Sequence, residues 1–256
     1  SYVKNSEHAK FLKHLGADVI TVDRDINRDL KLIKKIKNTH KFSFYNDCST
    51  EDIILRHDVD CSLIAALRMA SLEHKLKVQS TFFIYFSSEF YNPFGVESSK
   101  IIDKILSYGH KIGLHYNEEF IIQHNLDPSK IIIQEIDTLE NHFHTKINAV
   151  AAHESKTFPP SLKLKLPKDV FDAYSAQFVT KRKYLSDSAM FWREGCFCNH
   201  YASFKKLHVL IHPMWWSSDN KNRKEIMNSF IGGEYDLHTS LVKSDRKSTR
   251  LNSSHI

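Results

Sequence analysis

The chain has 256 residues, 41% hydrophobic, 26% charged and 12% aromatic, with a formal charge of +6. That is apolar material for one large core or two small ones, too much for a disordered chain, and no run nears the ~18 apolar residues of a membrane span. The basic residues are scattered, which argues against a nucleic-acid partner, and the 7 glycines fall in neither a dinucleotide fingerprint nor a P-loop spacing.

The predicted elements alternate. Leu30 to Ile36 has helical apolar spacing with lysines opposite, and residues 1–49 read as an N-terminal helical extension. Ile53 to Leu55 is a short buried strand running into Arg56-His57-Asp58-Val59-Asp60, after which Ser62 is placed to cap a helix over Leu63 to His74. Val78 to Phe86 is β-branched and aromatic, hence a strand. Ile101 to Leu106 is helical with Gly109 as its stop, and Lys111 to Tyr116 is the next strand. Pro128 opens a helix to about His142, with Ile132, Ile136 and Leu139 on one face. Ile147 to Ala152 and Leu207 to Ile211 are strands, and Asp219 to Phe230 is a late helix. The barrel-forming region is expected over 50–235. Residues 236–256 read as a tail, of which 245–256 resembles vector-derived, non-native sequence and is set aside. No signal-peptide pattern opens the sequence, and four cysteines are too few for a disulfide scaffold, so a reducing, cytoplasmic setting is expected.

Strand and helix in alternation predict a mostly parallel sheet, and at this length a barrel. Asp58, Asp60, His115, His153 and His212 all fall at or just past the C-terminal ends of predicted strands, which converge on one face in such a barrel. Asp58 and Asp60 are two apart and share a side of their strand. Two carboxylates that close stay ionised cheaply only beside a cation, and oxygen with imidazole donors suits a divalent transition metal. The plainer reading is that Asp60 caps the next helix and Asp58 pairs with Arg56.

The segments Arg56 to Asp60, Ser80-Thr81-Phe82-Phe83 and Gly109 to His115 resemble the first motifs of the polysaccharide deacetylase family, the NodB-homology domain of carbohydrate esterase family 4. Ala152-His153, Tyr184 to Ser188 with Trp192-Arg193, and Leu210 to Trp216 resemble a divergent, WbmS-like branch. The resemblance implies a single-domain, distorted (β/α)-barrel of about seven strands. It further implies a divalent metal, usually zinc, and hydrolysis of an N- or O-acetyl group on a carbohydrate. In that scheme Asp58 is the general base, Asp60 and His115 are metal ligands, and His212 is the general acid. Asp187 is the candidate to orient His212.

Two positions depart from the family pattern. Its second metal histidine falls on Glu119, so the third ligand is either Glu119 or His153, with Asn117 a weaker oxygen donor. Its base-holding arginine is missing from Ala151-Ala152-His153-Glu154, so Arg56 or Arg193 must take that place. Trp192, Arg193, Trp215 and Tyr116 are candidates to contact the sugar, with core packing as the alternative for the tryptophans. Competing functions are a metal amidohydrolase acting on a small molecule and an inactive sugar-binding barrel. The sequence does not specify the oligomeric state.

Overall fold

Each strand of the sheet ends on the face where the charged groups were expected, because all its pairings are parallel. The computed structural model describes residues 33–48, 51–216 and 222–231. The strands are β1 (Lys41–Ser43), β2 (Asp52–Val59), β3 (Thr81–Tyr85), β4 (Lys111–Asn117), β5 (Ala149–His153), β6 (Phe171–Asp172), β7 (Lys183–Ser186) and β8 (Leu207–Ile211). They form an 8-stranded sheet in the order β6-β5-β4-β3-β2-β8-β7, with β1 added beside the start of β2. The sheet curls into an incompletely closed, distorted (β/α)-barrel, the fold class the alternating pattern predicts. β2, β3 and β8 are buried along their whole length, as parallel strands covered on both faces must be.

Among the described residues five helices link consecutive strands: α1 (Leu63–Lys75), α2 (Val96–Ser107), α3 (Glu118–Gln123), α4 (Pro128–Phe143) and the short α5 (Ala176–Val179). Ser62 caps α1, its side chain accepting from the Ala65 amide at 3.2 Å, so the cap is Ser62 rather than Asp60. In α4, Asp127 caps the first turn, Pro128 follows it, and Ile132, Ile136, Leu139 and Phe143 face inward. Gly109 ends the α2 connection with φ +86°, a conformation that favours glycine.

The barrel interior is small on one side and aromatic on the other. Tyr45, Ile54, Phe83, Ala149, Ala151, Ala173 and Phe178 form one buried cluster. Gly113 makes room for Phe83: a Cβ there would lie 2.8 Å from the Phe83 ring and 3.0 Å from the Ala149 carbonyl.

Residues 1–32, which include most of the expected N-terminal extension, lie outside the described residues, but 33–37 are helical. The expected non-native tail also lies outside them. The chain divides into two compact units, Ser1–Ser218 and Asp219–Ile256. In the second, residues 223–231 are helical, overlapping the late helix expected over Asp219 to Phe230, with Asn222 accepting from the Glu225 amide at 3.0 Å. No helix among the described residues is long and apolar enough to cross a membrane.

Cys196 and Cys198 lie side by side across a tight turn, their Cα atoms 5.1 Å apart. Cys48 and Cys61 are free.

Candidate active site

Alternation along β2 sends Arg56 and Asp58 into the barrel and His57 to the helical layer. Arg56 and Asp58 are almost fully buried and form a bidentate pair, Nε to Oδ1 and Nη2 to Oδ2 both at 2.7 Å. The guanidinium lies between the rings of Phe83 and Tyr174, at 5.0 and 4.6 Å, and Nη2 also donates to the Tyr174 hydroxyl at 3.1 Å. Burial would push the Asp58 carboxyl up. Arg56, with His115 and His212, outweighs it and holds the group below the usual carboxylate range. Of the two arginines weighed from the sequence, Arg56 is thus the one that pairs with Asp58, while Arg193 is exposed.

Just beyond the end of β2, Asp60 is surrounded by imidazoles. His115, from β4, places Nε2 3.3 Å from Asp60 Oδ1 and 3.5 Å from Asp58 Oδ2. His153, from the end of β5, places Nε2 3.9 Å from Asp60 Oδ1. One potential ligand atom from each of Asp60, His115 and His153 lies within 4.8 Å of the others. The local chemistry fits a cation. His115 Nδ1 donates to the Ala151 carbonyl at 2.9 Å, so a neutral ring turns the Nε2 lone pair toward Asp60. Asp60 Oδ1 is buried and has no hydrogen-bond donor. Two acceptors facing each other at that distance call for a positive charge between them. The Tyr85 ring stacks on His153 at 4.0 Å and fixes its plane.

On the opposite side His212, at the end of β8, places Nε2 3.8 Å from Asp60 Oδ2. Asp187 holds it through two contacts, accepting from His212 Nδ1 at 2.7 Å and from the His212 amide at 3.0 Å. The other Asp187 oxygen accepts from Trp216 Nε1 at 2.8 Å. Burial opposes the imidazolium, but the Asp187 hydrogen bond and charge, with Asp60 and Asp58, lift His212 to about 9.

Not every residue singled out in the sequence reaches this group. Glu119 sits on the exposed side of α3, 2.8 Å from Lys156 and bonded to Gln123, so of the two candidates for third ligand only His153 lies with Asp60 and His115. Asn117 is occupied at both ends: Oδ1 caps α3 through the Phe120 amide and Nδ2 donates to Tyr85. Trp192 is buried against Phe197, and Trp215 is buried as well. Tyr116 is buried one residue from His115, on the alternate side of the strand. These three rings are therefore core packing and offer no open face to a sugar.

Two features were missed by sequence reasoning. Trp216 completes the grip on Asp187, which only tertiary structure reveals. Behind β2, His57 Nε2 lies 2.7 Å from Glu73 Oε1 on α1, and Ser80 Oγ links Glu73 Oε2 at 2.6 Å to His110 Nδ1 at 2.9 Å. This buried chain fastens the strand carrying Asp58 to its covering helix.

No family model matches the sequence, and no curated protein does. Solved structures do. The polysaccharide deacetylase Bc1974 from Bacillus cereus is similar with a TM-score of 0.42 at 12% identity, over 64% of this chain and 79% of that one. The Streptococcus pyogenes deacetylase PplD, in complex with acetate, gives 0.41 at 12% identity, over 90% and 93%. A family 4 acetyl xylan esterase from Clostridium thermocellum, in complex with a cobalt ion, gives 0.36 at 14% identity, over 72% and 84%.

Proposed function

We propose that the chain is a divergent polysaccharide deacetylase, a metal-dependent hydrolase that removes acetyl groups from a carbohydrate. The observation that carries this reading is the meeting of Asp60, His115 and His153 from three strand ends within 4.8 Å, with an arginine-held carboxylate on one side and a carboxylate-held imidazole on the other. Asp60, His115 and His153 would hold a divalent ion, for which zinc suits one oxygen and two nitrogen donors. Such an ion, when bound, makes water more acidic and polarises the acetyl carbonyl.

The rest of the chemistry belongs to side chains. Asp58, ionised at neutral pH, accepts a proton from the attacking water as general base. His212 carries a proton at neutral pH and gives it to the departing amine, or to the alkoxide of an ester, as the acyl bond breaks. Acetate and the free sugar amine or hydroxyl are the products. Asp187 keeps the His212 Nδ1 proton in place so that Nε2 faces the site.

The test is acetate release from acetylated saccharides by the zinc-loaded protein. Asp58→Asn should retain metal and lose about 10²- to 10⁴-fold in rate, the usual contribution of a positioned base. Undiminished turnover in that variant would remove Asp58 as the base.

A further inference from the structure

The loop that leaves β5 presents a large apolar ring to solvent: Phe158 is 61% exposed. A single exposed aromatic is ordinary on a protein surface, but this one is held. Glu118, itself buried, accepts through one oxygen from the Ser161 amide at 2.9 Å, the Ser161 hydroxyl at 3.2 Å and the Leu162 amide at 3.2 Å. Thr157 Oγ1 donates to the Pro159 carbonyl at 3.0 Å, and Pro159 and Pro160 restrict the backbone that follows. The ring rests on two tyrosines, stacked on Tyr184 with centroids 5.5 Å apart and edge-on to Tyr174 at 5.9 Å. Tyr174 is the residue whose ring and hydroxyl meet Arg56, the partner of Asp58. One supported aromatic thus lies two side chains from the carboxylate that begins the chemistry, on the face where strand ends converge.

We propose that Phe158, carried by Tyr174 and Tyr184, is the stacking platform for a pyranose ring of an oligosaccharide, the unit neighbouring the one that is deacetylated. This inference rests on the deacetylase reading and assigns the residue of this chain that holds the neighbouring sugar. The C–H face of a pyranose is apolar with slightly positive hydrogens and complements the negative face of an aromatic ring, while its hydroxyls stay in water. The Tyr184 contact covers one face of Phe158 and leaves the other for the ligand.

The experiment compares Phe158→Ala and Phe158→Trp on two substrates of the zinc-loaded protein, tri-N-acetylchitotriose and 4-nitrophenyl acetate, which carries no sugar. Phe158→Ala should raise the trisaccharide KM about 5- to 10-fold, the scale of one aromatic contact, with kcat held within about twofold. Phe158→Trp should restore it, and the loss should be confined to the trisaccharide. An unchanged trisaccharide KM overturns the proposal. So does a shared fall of kcat on both substrates, which would make the ring a prop for Tyr174 and Arg56. Should the native protein release acetate from neither substrate, the deacetylase reading fails by itself. Saturation-transfer NMR with the trisaccharide then decides: binding that Phe158→Ala abolishes supports the platform, whereas no binding, or binding the variant keeps, overturns it.

Discussion

Replacing Arg56 with methionine takes the guanidinium from a carboxylate that has little water to turn to. Arg56 is 0% and Asp58 3% exposed, and two 2.7 Å hydrogen bonds join them. Breaking a buried pair by removing one partner costs about 3–5 kcal/mol, a large share of the roughly 5–15 kcal/mol that holds a domain together. Arg56→Met should therefore lower the urea midpoint sharply. The double variant Arg56→Met/Asp58→Leu replaces charge with apolar volume on both sides and should recover most of the loss, because the desolvation penalty goes with the charges. The acid side carries a second signature. A carboxyl held below its usual range contributes stability that is fully present above about pH 4 and fades as the pH falls through the depressed value. That acid dependence should shrink in the single variant. Urea unfolding followed by tryptophan fluorescence, at neutral pH and at stepwise lower pH, measures both effects. A single variant within about 1 kcal/mol of native, or a double variant no better than the single, would refute the reasoning.

Asp187→Asn keeps an acceptor for His212 Nδ1 but removes the charge that raises the imidazole toward about 9. The alkaline limb of kcat should move to lower pH in a pH–rate profile, and an unmoved limb would deny that Asp187 tunes the acid. Glu135, on α4, has a buried oxygen without a partner and is pushed by burial from 4.5 to about 7. The folded protein thus keeps a proton that the unfolded chain releases, so stability falls as pH rises from about 4.5 through 7. Glu135→Gln should be the more stable form at pH 8, by up to about 3 kcal/mol, and nearly equal to native at pH 4. Thermal melts at the two pH values check the sign.

The parallel barrel and the residues of its mouth are legible in the sequence because buried parallel strands leave continuous apolar runs, and several of these runs end in a carboxylate or an imidazole. Ile53 to Leu55 gives way to Arg56 and Asp58, and Leu207 to Ile211 gives way to His212. The short edge strands were not legible. Phe171–Asp172 and Lys183–Ser186 are too brief for any period to register. Spacing alone made Glu119 as good a candidate as His153. The tie is resolved by Asn117, which caps α3 and turns Glu119 to the surface beside Lys156. The choice between Arg56 and Arg193 likewise turns on a third dimension: Arg56 lies on the inward side of β2 with Asp58, wedged between rings distant in sequence. Trp216 and Tyr174 support the site through contacts more than 25 residues away along the chain, which no local pattern encodes.

The cation between Asp60, His115 and His153 is the premise on which the chemistry depends. Equilibrium dialysis of the intact chain against zinc, followed by elemental analysis, measures it directly. The account predicts one ion retained per chain by the native protein and none by Asp60→Ala/His115→Ala, with circular dichroism showing that variant still folded. A native protein that retains no zinc, or a folded variant that retains as much, would contradict it.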